Sequence, residues 1–280
     1  MKKIIAMLLA LMLVLTCFAA CGSAPAADEA GSDDAVQADD SQTADDGSDL
    51  AFVQSNGKLV VGITDYAPMD YKDDNGEWTG FDAEFARLFA EELGVECEFF
   101  VLADWGKKIF ELDSKNIDCV WNGMTITEEI LLTSSVSDPY VINAQVVVMK
   151  ADVVGNYADA ESMKDLTFAV ESGSAGEAAL NDAGLTKYVA VQDQGAAVME
   201  VAAGTSDACV IDITMANAMT GEGTSYADLT YNVSLTEEEY GVSFRKDSDL
   251  TAKFNEFMAS LKADGTLQEL AAKYELTLAD

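Results

Sequence analysis

The chain has 280 residues, with Lys+Arg 16 against Asp+Glu 50, no histidine, and a formal net charge of −34. A surface this acidic repels nucleic acid and anionic lipid, which sets both aside as partners and fits a molecule kept soluble outside the cell. The lack of histidine and of a closely spaced cysteine pair excludes a zinc site, and no residue pattern calls for a cofactor.

Lys2, Lys3, an apolar run from Ile4 to Ala20 and small residues before Cys21 have the layout of an export leader over 1–20. Phe18-Ala19-Ala20-Cys21-Gly22 resembles a lipoprotein signal-peptidase box, which marks Cys21 for lipidation and makes that lipid the only attachment to the membrane. An ordinary signal peptide or a membrane anchor also fits the apolar run, although an acidic Ser/Ala/Gly segment follows at once with no basic stop-transfer flank. Residues 21–57 hold nine acidic side chains and no basic one. Such a segment buries too little apolar surface to offset its chain entropy and reads as a disordered tether. Cys97, Cys119 and Cys209 each lie in an apolar, strand-like run and read as buried free thiols.

About 220 residues follow, enough for two modest lobes or one large domain. Lys58 to Ile63 is a β-branched strand, and Lys72 to Gly76 has the Asp-Asn-Gly chemistry of a hairpin tip. Asp82 fits the N-cap of a helix in which Phe85, Leu88, Phe89 and Leu93 recur at helical spacing before Gly94. A strand at Glu96 to Leu102, a helix at Trp105 to Asp113 and a strand at Ile117 to Trp121 complete a first unit. The alternation repeats from Thr167, with strands at 167–171, 188–191 and 208–211 and helices at 174–183, 196–203 and 213–219. Strand and helix in turn predict a mostly parallel α/β sheet in each unit. Asn143 to Lys150 and Tyr240 to Lys246 are further strand-like runs, and 250–261 and 267–274 are closing helices.

Scattered motifs carry a resemblance that covers nearly everything from Lys58 onward. They are Gly80-Phe81-Asp82, Gly123-Met124-Thr125-Ile126-Thr127, Ser137-Asp138-Pro139-Tyr140, Ser172-Gly173-Ser174, Tyr240-Gly241-Val242 and Lys262-Ala263-Asp264-Gly265-Thr266. Together they resemble the amino-acid-type (family 3) extracellular solute-binding proteins of ABC transporters, in a lipoprotein form. The resemblance implies a two-lobed α/β fold of the type II periplasmic-binding-protein kind. Lobe 1 would take 58–146 and 240–280, lobe 2 would take 147–239, and the strand-like runs at Asn143 and Tyr240 would be the two hinge crossings.

Ligands of open α/β sheets bind beyond the carboxyl ends of the strands. Lobe 1 therefore offers Asp65, Tyr66, Trp105, Asn122, Gly123 and Thr125, and lobe 2 offers Glu171, Ser174, Ala175, Gln192, Asp193 and Asp212. Gly123 lacks a Cβ, which suits close approach of a ligand to the backbone. By the resemblance, Asp212 pairs with a ligand's ammonium group; from its position alone it also fits the N-cap of the helix at Ile213. Trp121 either faces the ligand or packs in the sheet, and its parity with Cys119 puts both on one face.

The carboxylate end departs from the family pattern. The arginine that relatives use to grip the ligand's carboxylate is Ile130 here, and the turn that offers it a hydroxyl reads Gly173-Ser174-Ala175-Gly176. Neither Arg87 nor Arg245 is placed to substitute. Lys107 or Lys108, near the start of the helix after Trp105, offers one positive charge as a point rather than a fork, although both read first as solvated helix surface. Aromatic rings and several carboxylates without an arginine, Glu128 and Glu129 among them, point to a small cationic ligand whose carboxylate is absent, modified or weakly held: an amine, a quaternary ammonium compound, or an amino acid or modified amino acid. The function implied is capture by a monomer and delivery to an ABC permease with its ATPase. Two alternatives stand beside it: an enzyme resembling cyclohexadienyl dehydratases, with Glu129, Glu171 and Asp212 as its acid/base candidates, and a ligand-sensing module for a separate receptor.

Overall fold

The structure, a computed structural model, describes residues 47–280; the leader, Cys21 and most of the expected tether lie outside the described residues. It opens on a helix that composition does not announce, α1 (Asp49–Asn56), capped by the Ser48 hydroxyl and closed by Gly57 at φ 70°. The tether expected to run to Gly57 therefore ends before Asp49. The cause is a partner far along the chain. Arg245 donates to Asp49 at 2.9 Å, to Asp118 at 3.1 Å and to the carbonyls of Leu112 and Ile117, all buried. Asp49→Ala removes one of the two carboxylates from this guanidinium and is expected to destabilise by about 2 kcal/mol. That lowers the thermal midpoint by roughly 4–8 °C for a body of this size; an unchanged midpoint would detach α1 from the folded domain.

The first lobe is built from β1 (Lys58–Ile63), the hairpin β2 (Tyr71–Lys72) and β3 (Trp78–Thr79), α2 (Phe81–Leu93) and β4 (Glu96–Val101). It continues with a 3₁₀ turn at Trp105–Lys107, α3 (Lys108–Asp113), β5 (Cys119–Val120), α4 (Glu128–Thr133) and β6 (Ser135–Val136). Gly80, not Asp82, stands at the N-cap of α2. A Cβ at Gly80 would meet the Met69 carbonyl oxygen at 2.2 Å, and φ is 118°, so only glycine turns the chain there. Asp82 is instead carried inward on the first turn.

After β7 (Val141–Asn143) the chain forms the second lobe: β8 (Gln145–Lys150), β9 (Phe168–Glu171), α5 (Ala175–Asp182), β10 (Tyr188–Val191) and α6 (Gln194–Ala203). β11 (Ala208–Asp212), α7 (Ile213–Met219) and β12 (Leu229–Ser234) complete it. β13 (Glu238–Tyr240) then leads back to β14 (Ser243–Phe244), α8 (Leu250–Asp264) and α9 (Thr266–Lys273) in lobe 1.

The first sheet has the order β4-β1-β5-β14-β6, the second β10-β9-β11-β8-β12. In each, three parallel strands meet one antiparallel strand delivered by a crossing, β14 in the first and β8 in the second. This corrects the crossings. Gln145–Lys150 lies inside the second sheet and Ser243–Phe244 inside the first, while the crossings themselves are the antiparallel ribbon of β7 and β13. The lobe boundary therefore falls before Gln145, not inside β8.

The core of lobe 1 is aromatic. Phe85 and Phe254 each stand 4.9 Å from Trp121, ring to ring, and Phe89 packs on Phe254 at 5.2 Å. The face shared by Cys119 and Trp121 is this core, so Trp121, fully buried, is a packing residue and not a ligand contact. Cys97, Cys119 and Cys209 are free thiols, two of them buried.

Candidate functional site

A cavity of about 480 Å³ lies between the lobes. Asp65, Tyr66, Trp105, Asn122, Gly123, Thr125, Glu171, Ser174 and Asp212 all line it, as do Ala175, Ile130, Glu128 and Glu129. The strand-end rule thus gathers ten of its twelve candidates; Gln192 and Asp193 do not line the cavity, and neither does Trp121, for the reason given above. The lobes touch on two sides of the cavity. Tyr66 Oη is 2.6 Å from Thr214 Oγ1, and a Cβ at Gly173 would meet the Gly106 Cα at 2.8 Å.

The lobe 1 wall is braced from behind by two buried carboxyls. Asp82 accepts the Gly123 N–H at 2.6 Å and the Tyr140 hydroxyl at 2.8 Å, and burial pushes its pKa up to about 7. Asp70 accepts from Asn122 Nδ2 at 2.7 Å, while Asn122 Oδ1 takes the Thr64 N–H and hydroxyl. Asn122 and the Gly123 amide are therefore committed to shaping the turn. Gly123, at φ 53°, is needed for a different neighbour than expected: a Cβ there would lie 2.6 Å from the Tyr66 ring and 3.1 Å from that of Tyr240. The bare backbone admits the aromatic wall of the cleft.

The lobe 2 wall centres on Asp212, the last residue of β11. Asp212 occupies the N-cap position of α7, yet its side chain makes no capping bond. Its Oδ1 accepts from Asn143 Nδ2 at 2.5 Å and Gln145 Nε2 at 2.6 Å, and its Oδ2 accepts from Gln194 Nε2. The same two amides also donate to Glu238 Oε1, at 2.6 and 2.7 Å, and Thr125 adds its hydroxyl at 2.7 Å. One carboxylate on a crossing strand thereby ties the lobe 1 turn, the crossing and lobe 2 to the charge of Asp212. Burial, then Glu238, raises the Asp212 pKa to about 6. Glu171 is pushed further, to about 8, by burial and then by Asp212 and Asp193.

Lys107 is on the surface beside Asp104, at 3.1 Å, but Lys108 is not. Its residue is 9% exposed, it lines the cavity, and its ammonium lies 4.6 Å from the Trp105 ring centre. The surface reading therefore fails for one lysine of the pair. Among the described residues lining the cavity it is the only basic side chain, against Asp65, Glu128, Glu129, Glu171 and Asp212. Arg87 binds the Trp78 carbonyl and Arg245 is held at α1, so both arginines are spent elsewhere, as their positions implied.

The model of the bacterial extracellular solute-binding proteins, family 3, matches residues 59–277. The chain belongs to this family. The L-cystine-binding protein TcyJ of Escherichia coli strain K12 is 31% identical over 229 residues, 80% of this chain and 85% of that protein. The arginine-binding extracellular protein ArtP of Bacillus subtilis strain 168 is 32% identical over 228 residues, 78% of this chain and 86% of the relative. Among solved structures, the ancestral amino acid-binding protein AncCDT-1, a precursor of cyclohexadienyl dehydratase, superposes with a TM-score of 0.74 at 32% identity, covering 81% of this chain and 99% of the other. The fold is thus the type II periplasmic-binding-protein fold, and the curated relatives are binding proteins by name.

Within this solute-binding protein, sequence reasoning missed Gln145 and Gln194, and it placed Lys108 on the surface ahead of the cleft. Gln145 was hidden in a run read as a crossing, although its register partner is Asp212. Gln192 is exposed, and Asp193 caps α6 by accepting from the Ala196 N–H at 2.7 Å. Ser174 lines the cavity but caps α5, accepting from the Glu177 N–H at 3.2 Å while its hydroxyl donates to the Glu171 carbonyl at 2.8 Å. Among the described residues no cluster could hold a metal ion, and no helix is long and apolar enough to cross a membrane.

Proposed function

We propose that the protein is a lipid-anchored extracytoplasmic solute-binding protein that captures a small cationic amino-acid-like solute or amine between its lobes and hands it to an ABC permease driven by its ATPase. The observation that supports this reading is the charge of the cleft: carboxylates from both lobes surround Tyr66 and Trp105, with Lys108 the single basic group among the described lining residues. A cation entering this space meets an oriented carboxylate at Asp212 and the aromatic rings that line the cavity. Attachment through Cys21 and action as a monomer belong to the same reading. So does closure of the lobes around the ligand, which would present the surface a permease recognises.

A thermal-shift screen of L-arginine, L-histidine, L-cystine, their amines and betaines tests it. A true ligand at 100 times its dissociation constant stabilises by about 2.7 kcal/mol, a shift of several degrees. Shifts only with acidic amino acids, and none with cations, would overturn it. One observation favours a second reading, an enzyme of the dehydratase kind: Glu171 holds a proton near neutral pH, as a general acid must. Conversion of a bound ligand, followed by chromatography, would establish it, and stoichiometric recovery of unchanged ligand would remove it.

A further inference from the structure

We propose that Lys108 is the cleft's anion contact: it takes the ligand's carboxylate against the Gly173 turn, in place of an arginine on α4, so that the solute is an amino acid with a free carboxylate rather than a bare amine. This rests on the binding reading above and narrows its ligand class.

The argument begins with an unmet need. Lys108 is nearly buried, yet none of the ion pairs among the described residues includes it. Its ammonium has only two long contacts to backbone carbonyls, Trp105 at 3.3 Å and Gly173 at 3.4 Å, and the face of the Trp105 ring. A buried ammonium with three donors and no carboxylate partner is unfavourable unless a further partner arrives. Burial lowers its pKa to about 8, so it is still mostly charged at neutral pH. Glu171 and Glu129 act on it through the field without pairing with it.

The position decides what that partner is. The contact to the Gly173 carbonyl puts the ammonium on the turn that opens α5, where the helix dipole also favours negative charge. Ile130, which stands where a guanidinium would be expected, lines the same cavity. A cation is therefore restored to this end of the cleft from α3, with a point charge in place of a fork. Asp212, held by three amides, occupies the other wall. Opposite charges on facing walls match a zwitterionic head group, and an amine lacking the carboxylate would leave Lys108 unanswered.

Matched pairs test this by calorimetry: L-arginine with agmatine, L-histidine with histamine, and L-cystine with cystamine, on the wild type and on Lys108→Met and Lys108→Arg. In the wild type the amino acid of the bound pair is expected to exceed its amine by tenfold or more. In Lys108→Met the amino acid weakens while the amine tightens, because a like charge has gone, and the ratio falls to about one. Lys108→Arg restores it. Equal weakening of both members by Lys108→Met marks a merely structural lysine and overturns the inference, as does a wild type that binds both equally. The methyl ester of the bound amino acid gives the same answer without a variant: an ester bound as tightly as the free acid overturns the inference. If no pair binds the wild type at all, the binding reading itself fails.

Discussion

Asp212→Ala abolishes ligand binding, with an expected loss of at least about 100-fold, or roughly 3 kcal/mol, in the affinity of the best hit from the screen. The size follows from how the carboxylate is held. Asn143, Gln145 and Gln194 aim three N–H groups at it, and its burial puts it where a carboxylate–ammonium pair is strong. Alanine removes the charge and leaves three amides facing an unfilled space. The unliganded fold responds far less. Asp212 is itself disfavoured as an anion by burial and by Glu238, so losing it relieves repulsion even as the amides lose a partner. The thermal midpoint of the unliganded variant is expected to stay within a few degrees of wild type while the ligand-induced shift vanishes. A shift that persists in Asp212→Ala would remove Asp212 from ligand recognition, and a collapse of the unliganded fold would make it a structural residue.

The contrast between what the chain spells out and what it hides follows the range of the interactions involved. β1, β9 and β11 are legible because strands covered on both faces read as nearly continuous apolar runs, and α2 because its phenylalanines keep helical spacing. The crossing of β7 into β8 is not legible. Asn143 to Lys150 reads as one run, and only the pairing of Glu238 with Asn143 separates the ribbon from the sheet strand that begins at Gln145. α1 is invisible for a similar reason: Asp49 looks like one more solvated acid until Arg245, 196 residues later, is folded against it. β12 escapes because it is mixed in polarity and interrupted by a bulge between Tyr231 and Val233.

The site divides in the same way. Asp65, Tyr66, Glu171 and Asp212 stand at the ends of strands, and topology alone sends them to the cleft. Gln145 and Gln194 are neutral amides at the start of a strand and a helix, positions with many other uses. For Lys108 a signal did exist. It lies three residues after Trp105 and four before Leu112, both buried, so it shares their helical face while Lys107 points away. Its neighbour's charge disguised it as surface.

Glu171 gives the protein a dependence on pH whose sign can be set in advance. Its carboxyl titrates near 8 in the folded protein against an ordinary 4.5, because burial and then Asp212 and Asp193 oppose its charge while Lys108 and Gln194 favour it. Below about pH 4.5 the folded and unfolded chains both hold the proton, and Glu171 does not penalise the fold. As the pH rises toward 8 the unfolded chain releases the proton and the folded one must keep it or bury a charge, so stability is lost across that window. Glu171→Gln removes the loss. The unliganded variant is expected to gain on the wild type by on the order of 3 kcal/mol between pH 4.5 and 8, read as a widening gap in denaturant midpoint. A gap that stays flat with pH would show that Glu171 is not held protonated. The same proton opposes a cationic ligand, whose arrival favours the ionised carboxylate and drives the proton out. Wild-type affinity for such a ligand therefore rises from pH 6 toward 8, and Glu171→Gln flattens that limb. For an amino acid with a free carboxylate, the affinity falls again above about 8 as Lys108 loses its charge, a second limb that Lys108→Met removes and Glu171→Gln leaves in place.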